Sequence, residues 1–207
     1  MRLFLARHGN TFNPDQIPLW VGANEDLPLV EKGIEQATKL AKYFKEKSIK
    51  PKAIYTSKLQ RSFKFSSIIK NFLELPISVN IDDRLNEIDY GLWGGLSEQE
   101  IISRFGKDEL QRWQEKSIWP QNANWGSDEV TVTNEIFDFV NYLKKSYSSD
   151  DTVLVVTSNG KLRYFLKLIK DEFEKRVEDK SFKMKTGAVS ELIIADDVKV
   201  NLWNYNP

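Results

Sequence analysis

The 207 residues carry 30 Lys and Arg against 30 Asp and Glu, with 41% hydrophobic and 29% charged residues, globular proportions that exclude a disordered or fibrous chain. A formal net charge of zero leaves no overall field to hold a polyanion such as nucleic acid, so any phosphate site must be built locally. The absence of cysteine removes disulfides, thiolate nucleophiles and cysteine-ligated metals.

In chain order, Met1 to Ala6 is an apolar run that reads as a buried strand and stops at the polar loop Arg7-His8-Gly9. Val30, Ile34, Ala37, Ala41 and Phe44 recur at helical spacing among Lys and Glu, an amphipathic helix. Ala53-Ile54-Tyr55 is a second strand, running into Thr56-Ser57 as N-cap of a helix through about Phe72, and Pro76 to Asn80 adds a short third strand. Ser97 to Glu100 has capping-box spacing before a helix with Ile101 and Ile102, and a second helical segment with Leu110 and Trp113 follows Gly106. Trp119 to Gly126 reads as loop. Thr133 can cap a helix carrying Ile136, Val140 and Leu143. Thr152 to Thr157 is the most strand-like run and ends at Ser158-Asn159-Gly160, after which a helical segment from Lys161 leads into a charged stretch, a solvated helix face or loop. Glu191 to Ala195 and Val198 to Trp203 form a hairpin around Asp196-Asp197. Alternating strands and helices predict a three-layer α/β/α sandwich with a mostly parallel central sheet, and the length favours one domain over residues 1–207. The first apolar run is too short for a signal segment and no stretch approaches a membrane span, so a cytoplasmic protein without membrane contacts is expected.

In open α/β sheets ligands collect beyond the C-terminal ends of the strands, where helix N-termini point their N–H groups outward. Three polar segments fit: Arg7-His8-Gly9, Thr56 to Arg61, and Thr157 to Gly160. Arg7 and Arg61 could converge on one dianion, and the planar guanidinium makes paired, charge-assisted bonds to phosphate. Each residue also has an ordinary reading: a lone His as a hydrogen-bonded structural residue, Arg61 and Glu87 as solvated surface groups, Ser158-Asn159 as a cap and turn, the tryptophans as core.

Taken together these segments resemble the histidine phosphatase superfamily, also called the phosphoglycerate mutase-like family. Leu5 to Thr11 is similar to its opening motif, Val21-Gly22-Ala23 with Asp26 to Leu29 and Gly33 through Ala37 to its next block, Tyr55 to Arg61 to the segment of the second arginine, and Arg84 to Trp93 to the segment of the acid. The resemblance implies His8 as nucleophile, Glu87 as acid and base, and Arg7, Arg61, Thr11, Asn13, Ser158 and Asn159 as phosphate contacts, with no metal and no cofactor. Two nearby arginines also disfavour protonation of His8, which keeps its nucleophilic nitrogen free.

The chain departs from that pattern in one respect that matters. The family has a second histidine after the strand that here ends at Thr157; the resemblance puts Ser158 in its place, and His8 is the only histidine. A neutral hydrogen bond contributes roughly 0.5–1.5 kcal/mol against roughly 1.5–3 for a charged one, about tenfold in rate. Lys161 and Arg163 are the candidates to supply the missing charge. Smaller departures are Gly94, where the family often has Glu, and Asn13-Pro14, where its Asn falls one position later. The expected activity is hydrolysis of a small phosphorylated metabolite through a phosphohistidine. A mutase-like phosphotransferase and a weakly active or inactive phosphate-binding protein stay open, as do the substrate and the oligomeric state. The direct run from Gly91 through Gly95 to Ser97, without the segments that mutases insert there, favours water as acceptor.

Overall fold

The computed structural model describes residues 1–207. Six strands, β1 (Arg2–Arg7), β2 (Ala53–Thr56), β3 (Val79–Ile81), β4 (Thr152–Thr157), β5 (Val189–Ile194) and β6 (Val198–Tyr205), form one sheet in the order β3-β2-β4-β1-β5-β6. The first four run parallel, with Arg7 level with Thr157 and Thr56 level with Val156. β5 pairs antiparallel with β1, and the expected hairpin adds β6 at the edge. Seven α-helices cover the two faces: α1 (Glu31–Glu46), α2 (Gln60–Phe72), α3 (Glu98–Phe105), α4 (Lys107–Lys116), α5 (Glu129–Ser146), α6 (Asn159–Leu162) and α7 (Glu172–Glu178), with a 3₁₀ segment over Arg163–Leu168. This is the α/β class that the alternating elements predict.

The strands carry apolar residues at consecutive positions because both faces of the sheet are covered. Leu3, Leu5, Val153 and Val155 face a larger core shared with α3, α4 and α5, whereas Phe4, Ala6, Leu154 and Val156 face a smaller one under α1 and α2. All six tryptophans belong to the larger core or pack against it. On the smaller side, Phe4 meets Phe44 of α1 edge-on at 5.0 Å, and Ile34 is left half out of the interface. Burying one such side chain stabilises by roughly 1.5–3 kcal/mol.

Local signals located the elements better than their caps. The Ser97–Glu100 capping box forms on α3 as its spacing predicts. Thr56 and Ser57 do not cap α2: Thr56 ends β2 and gives its hydroxyl to Val156 O at 3.0 Å. The helix begins at Gln60, whose N–H is taken by Asp26 Oδ1 at 2.8 Å, a cap from a distant loop. Nor does Thr133 cap α5: Asp128 does, accepting from Thr131 N–H at 2.7 Å, while Thr133 bonds Glu129 O one turn inside the helix. A residue that can bond the carbonyl four positions back is content within a helix, so its presence does not mark a start. β3 begins at Val79 rather than Pro76, because proline has no N–H for the ladder. No helix is long and apolar enough to cross a membrane.

Candidate active site

The parallel register puts the ends of β1 and β4 side by side, and the His8 N–H bonds Thr157 O at 3.1 Å. A pocket of about 1080 Å³ opens there, lined by Arg7, His8, Arg61 and Glu87 at its base. Gly9 makes the sharp exit from β1 possible: a Cβ there would stand 2.5 Å from Gly33 at the start of α1. Asn10 N–H bonds Gln36 Oε1 at 2.9 Å and Thr186 Oγ1 bonds Asn10 Oδ1 at 2.6 Å, so the loop after His8 is tied both to α1 and to the turn before β5.

His8 is 7% exposed, and its Nδ1 lies 2.8 Å from Gly9 O. A carbonyl oxygen only accepts, so Nδ1 carries the proton and Nε2 holds the lone pair. Burial, then Arg61, then Arg7 drive the imidazole well below its usual pKa, with the Gly9 bond acting the other way. The ring is therefore neutral at physiological pH, the state a nucleophile requires.

The two arginines are held by backbone carbonyls. Arg7 gives Nη1 to Met184 O at 2.7 Å; Arg61 gives Nη1 to Glu25 O at 2.6 Å and Nη2 to Gly22 O at 2.9 Å. Burial lowers the pKa of both from the usual guanidinium value and the Glu87 charge raises it; a guanidinium nonetheless stays charged. Both Nε donors are buried without a partner in the chain, as are the hydroxyls of Ser57, Ser62 and Ser158. An unmet buried donor costs about 1–3 kcal/mol, a cost that an oxyanion accepting from it removes.

Glu87 is fixed from below by three backbone donors: Ile88 N–H at 2.9 Å and, from the start of α6, Gly160 N–H at 3.0 Å and Lys161 N–H at 3.1 Å. Gly160 permits this approach, since a Cβ there would lie 2.4 Å from Glu87 Oε1 and 2.5 Å from the Tyr90 hydroxyl. Tyr90 shares the pocket wall, and burial, then Glu87, raise its pKa well above the usual phenol value, so it presents a neutral hydroxyl.

Of the residues predicted at the site, Arg7, His8, Thr11, Asn13, Arg61, Glu87 and Asn159 line this one pocket. Ser158 does not; it lies beneath the wall, 1% exposed. Asn159 Oδ1 accepts from Met184 N–H at 2.9 Å, and Asn13 is an exposed rim residue. Lys161 does not supply charge here, because its Nζ reaches away to Glu135 Oε2 at 2.5 Å. Arg163 does reach the wall, its guanidinium 4.3 Å from the Trp113 ring centroid. At Gly94, Glu25 fills the room a side chain would need: a Cβ there would meet Glu25 Oε1 at 2.4 Å.

The pattern of the histidine phosphatase superfamily (branch 1) matches residues 3–206. The chain belongs to that superfamily. This histidine phosphatase chain is 29% identical over 191 residues to the 2,3-bisphosphoglycerate-dependent phosphoglycerate mutase of Corynebacterium kroppenstedtii, covering 80% of this chain and 75% of the mutase. Its fold is similar to that of mycobacterial glucosyl-3-phosphoglycerate phosphatase, with TM-score 0.82 and 22% identity over 100% of this chain and 99% of that one. It is likewise similar to the α-ribazole phosphatase of Shigella flexneri, with TM-score 0.79 and 22% identity over 100% and 97%.

Among the residues of the histidine phosphatase pocket that escaped the sequence reading are Tyr90 and Lys183. Tyr90 lay in the acid segment without a signal of its own, and Lys183 lay in the charged stretch read as a solvated face. Only the path of the chain from α7 back to β5 carries Lys183 to the pocket.

Proposed function

We propose that the chain is a phosphomonoester hydrolase acting through a phosphohistidine on His8. The observation that carries this reading is a neutral histidine with its Nε2 lone pair free, set between two arginines whose buried Nε donors lack partners. In the first step Nε2 attacks phosphorus in line, the P–O ester bond breaks, and the departing alkoxide takes a proton from the Glu87 carboxyl. In the second, water attacks the phosphohistidine, its proton passes to the Glu87 carboxylate, and the P–N bond breaks to return the lone pair to Nε2. Arg7 and Arg61 offset the charge on the transferring group, so catalysis is largely positioning and electrostatics. The resemblance puts Ser158 in the place of the family's second histidine, and with Ser158 off the pocket wall that side of the phosphoryl group has no histidine donor.

Water as the acceptor, rather than a second phosphorylated metabolite, is supported by the short path from Gly91 to Ser97, which enters α3 with no inserted segment. The mutase similarity motivates the second reading, phosphoryl transfer between positions of phosphoglycerate. The test is rapid quench with an aryl phosphate. An acid-labile phosphoryl group on the parent and not on His8→Ala, with release of inorganic phosphate, is the expected result. Turnover unchanged in His8→Ala overturns the mechanism, absence of turnover and of the intermediate leaves a phosphate-binding protein, and interconversion of 2- and 3-phosphoglycerate without phosphate release identifies a mutase.

A further inference from the structure

Arg61 takes its aim from a loop that has almost no structure of its own. Its Nη2 and Nη1 go to the carbonyls of Gly22 and Glu25, and the neighbouring Gln60 N–H goes to Asp26 Oδ1, so the segment Gly22 to Asp26 sets the start of α2. That segment belongs to no helix or strand, and no N–H within it bonds a carbonyl within it. The one hydrogen bond that crosses the loop is made by a side chain: Glu25 Oε2 accepts from Gly22 N–H at 2.7 Å. It joins the two residues whose carbonyls receive the guanidinium.

Anchors from elsewhere do not replace this bond. Gly22 rests on the acid segment, where a Cβ would stand 2.7 Å from Ile88 O, and Ala23 N–H bonds that same carbonyl at 3.1 Å. At the other end Asp26 is tied to Gln60, which belongs to the helix being positioned. Between them, only the Glu25 side chain fixes the spacing of the two carbonyls.

The second oxygen of Glu25 explains a glycine. A Cβ at Gly94 would lie 2.4 Å from Glu25 Oε1. Gly94 has φ −52° and ψ 129°, a backbone that any residue adopts, so it is the Glu25 carboxylate and not the chain path that excludes a side chain there. Position 94 is where the resemblance expects a glutamate.

We propose that Glu25 is a positioning residue for the phosphoryl chemistry: its carboxylate, standing in the space that a glutamate at position 94 would enter, fixes the Gly22 and Glu25 carbonyls and through them Arg61. This rests on the hydrolase reading, in which Arg61 offsets charge on the transferring group. If the two carbonyls drift, the guanidinium drifts with them, and a misplacement of about 1 Å can cost on the order of 10²-fold in rate.

The experiment is a double-mutant cycle on the full chain with an aryl phosphate. Glu25→Ala should lower kcat/KM about tenfold in the parent but less than about twofold in the Arg61→Ala chain, because both changes act through one guanidinium. Glu25→Gln keeps an acceptor for Gly22 N–H and should stay within about threefold of the parent. Gly94→Glu added to Glu25→Ala should recover most of the loss by returning a carboxylate to the same space. An equal loss with and without Arg61, or no loss in Glu25→Ala, overturns the positioning role, and no recovery on adding Gly94→Glu overturns the exchange between the two positions. Calorimetric binding of inorganic phosphate repeats the cycle without turnover. If no ester is hydrolysed and no phosphohistidine forms, the hydrolase reading fails; phosphate binding weakened by Glu25→Ala in the parent and not in Arg61→Ala still supports the positioning role, and equal weakening in both overturns it.

Discussion

The base of the pocket and its outer wall are built on different principles. At the base, Arg7, Arg61, Glu87 and His8 are each held by main-chain groups: carbonyls for the arginines and the imidazole, N–H groups for the carboxylate. On the wall, Arg163 is held mainly by side chains, Ser117 Oγ at 3.1 Å and the Trp113 ring, with one long bond of 3.5 Å to Asn159 O, and Trp113 is itself locked by Trp125 at 4.6 Å and Trp119 at 5.5 Å. Backbone partners do not change with the side chains around them, so the base can keep one geometry while the wall is rebuilt.

Four measurements break or sharpen that contrast. The largest effect is expected at the base: Arg61→Ala removes a charge aimed at the transferring group, and kcat/KM for an aryl phosphate should fall about 10³-fold. A loss under tenfold would mean that Arg61 only braces Gly22 and Glu25. On the wall, Trp113→Ala should cost stability, about 3–5 kcal/mol by denaturant unfolding, because it empties a site shared by three aromatic neighbours. Equal loss of stability in both variants would erase the distinction.

The next effect is a pH dependence. His8 is the only histidine, so one imidazole resonance reports it. Its pKa in the folded chain is depressed, by burial first and then by Arg61 and Arg7. As pH falls below about 6.5 the unfolded chain therefore binds a proton that the folded chain does not, and stability decreases until the folded pKa is reached. The resonance should hold its neutral position well below pH 6.5, and inorganic phosphate, by offsetting the two arginines, should move the titration upward. Titration near 6.5 without phosphate would show that the base is not desolvated. The smallest effect belongs to Ser158→Ala: the hydroxyl lies off the wall and has no partner, so kcat/KM should change less than about threefold. A hundredfold loss would add Ser158 to the base as a donor to the transition state.

The sequence by itself determined the strands, the α/β class and the base of the pocket. Those features are local. A buried parallel strand needs a short continuous apolar run, and the residues that follow it must lie at one edge of the sheet, so Arg7, His8 and Arg61 could be assigned together before any contact was known. Tertiary structure decided everything set by chain segments distant in sequence. Asp26 caps α2 in place of Thr56 or Ser57, Lys161 turns to Glu135, Ser158 falls behind the wall, and Lys183 comes to line the pocket. In each case the sequence left more than one arrangement open, and only the packing of helices on the sheet selects which groups come within reach. His8 shows both halves: strand and loop pattern marked it, but its neutrality comes from burial and two arginines brought together by the fold.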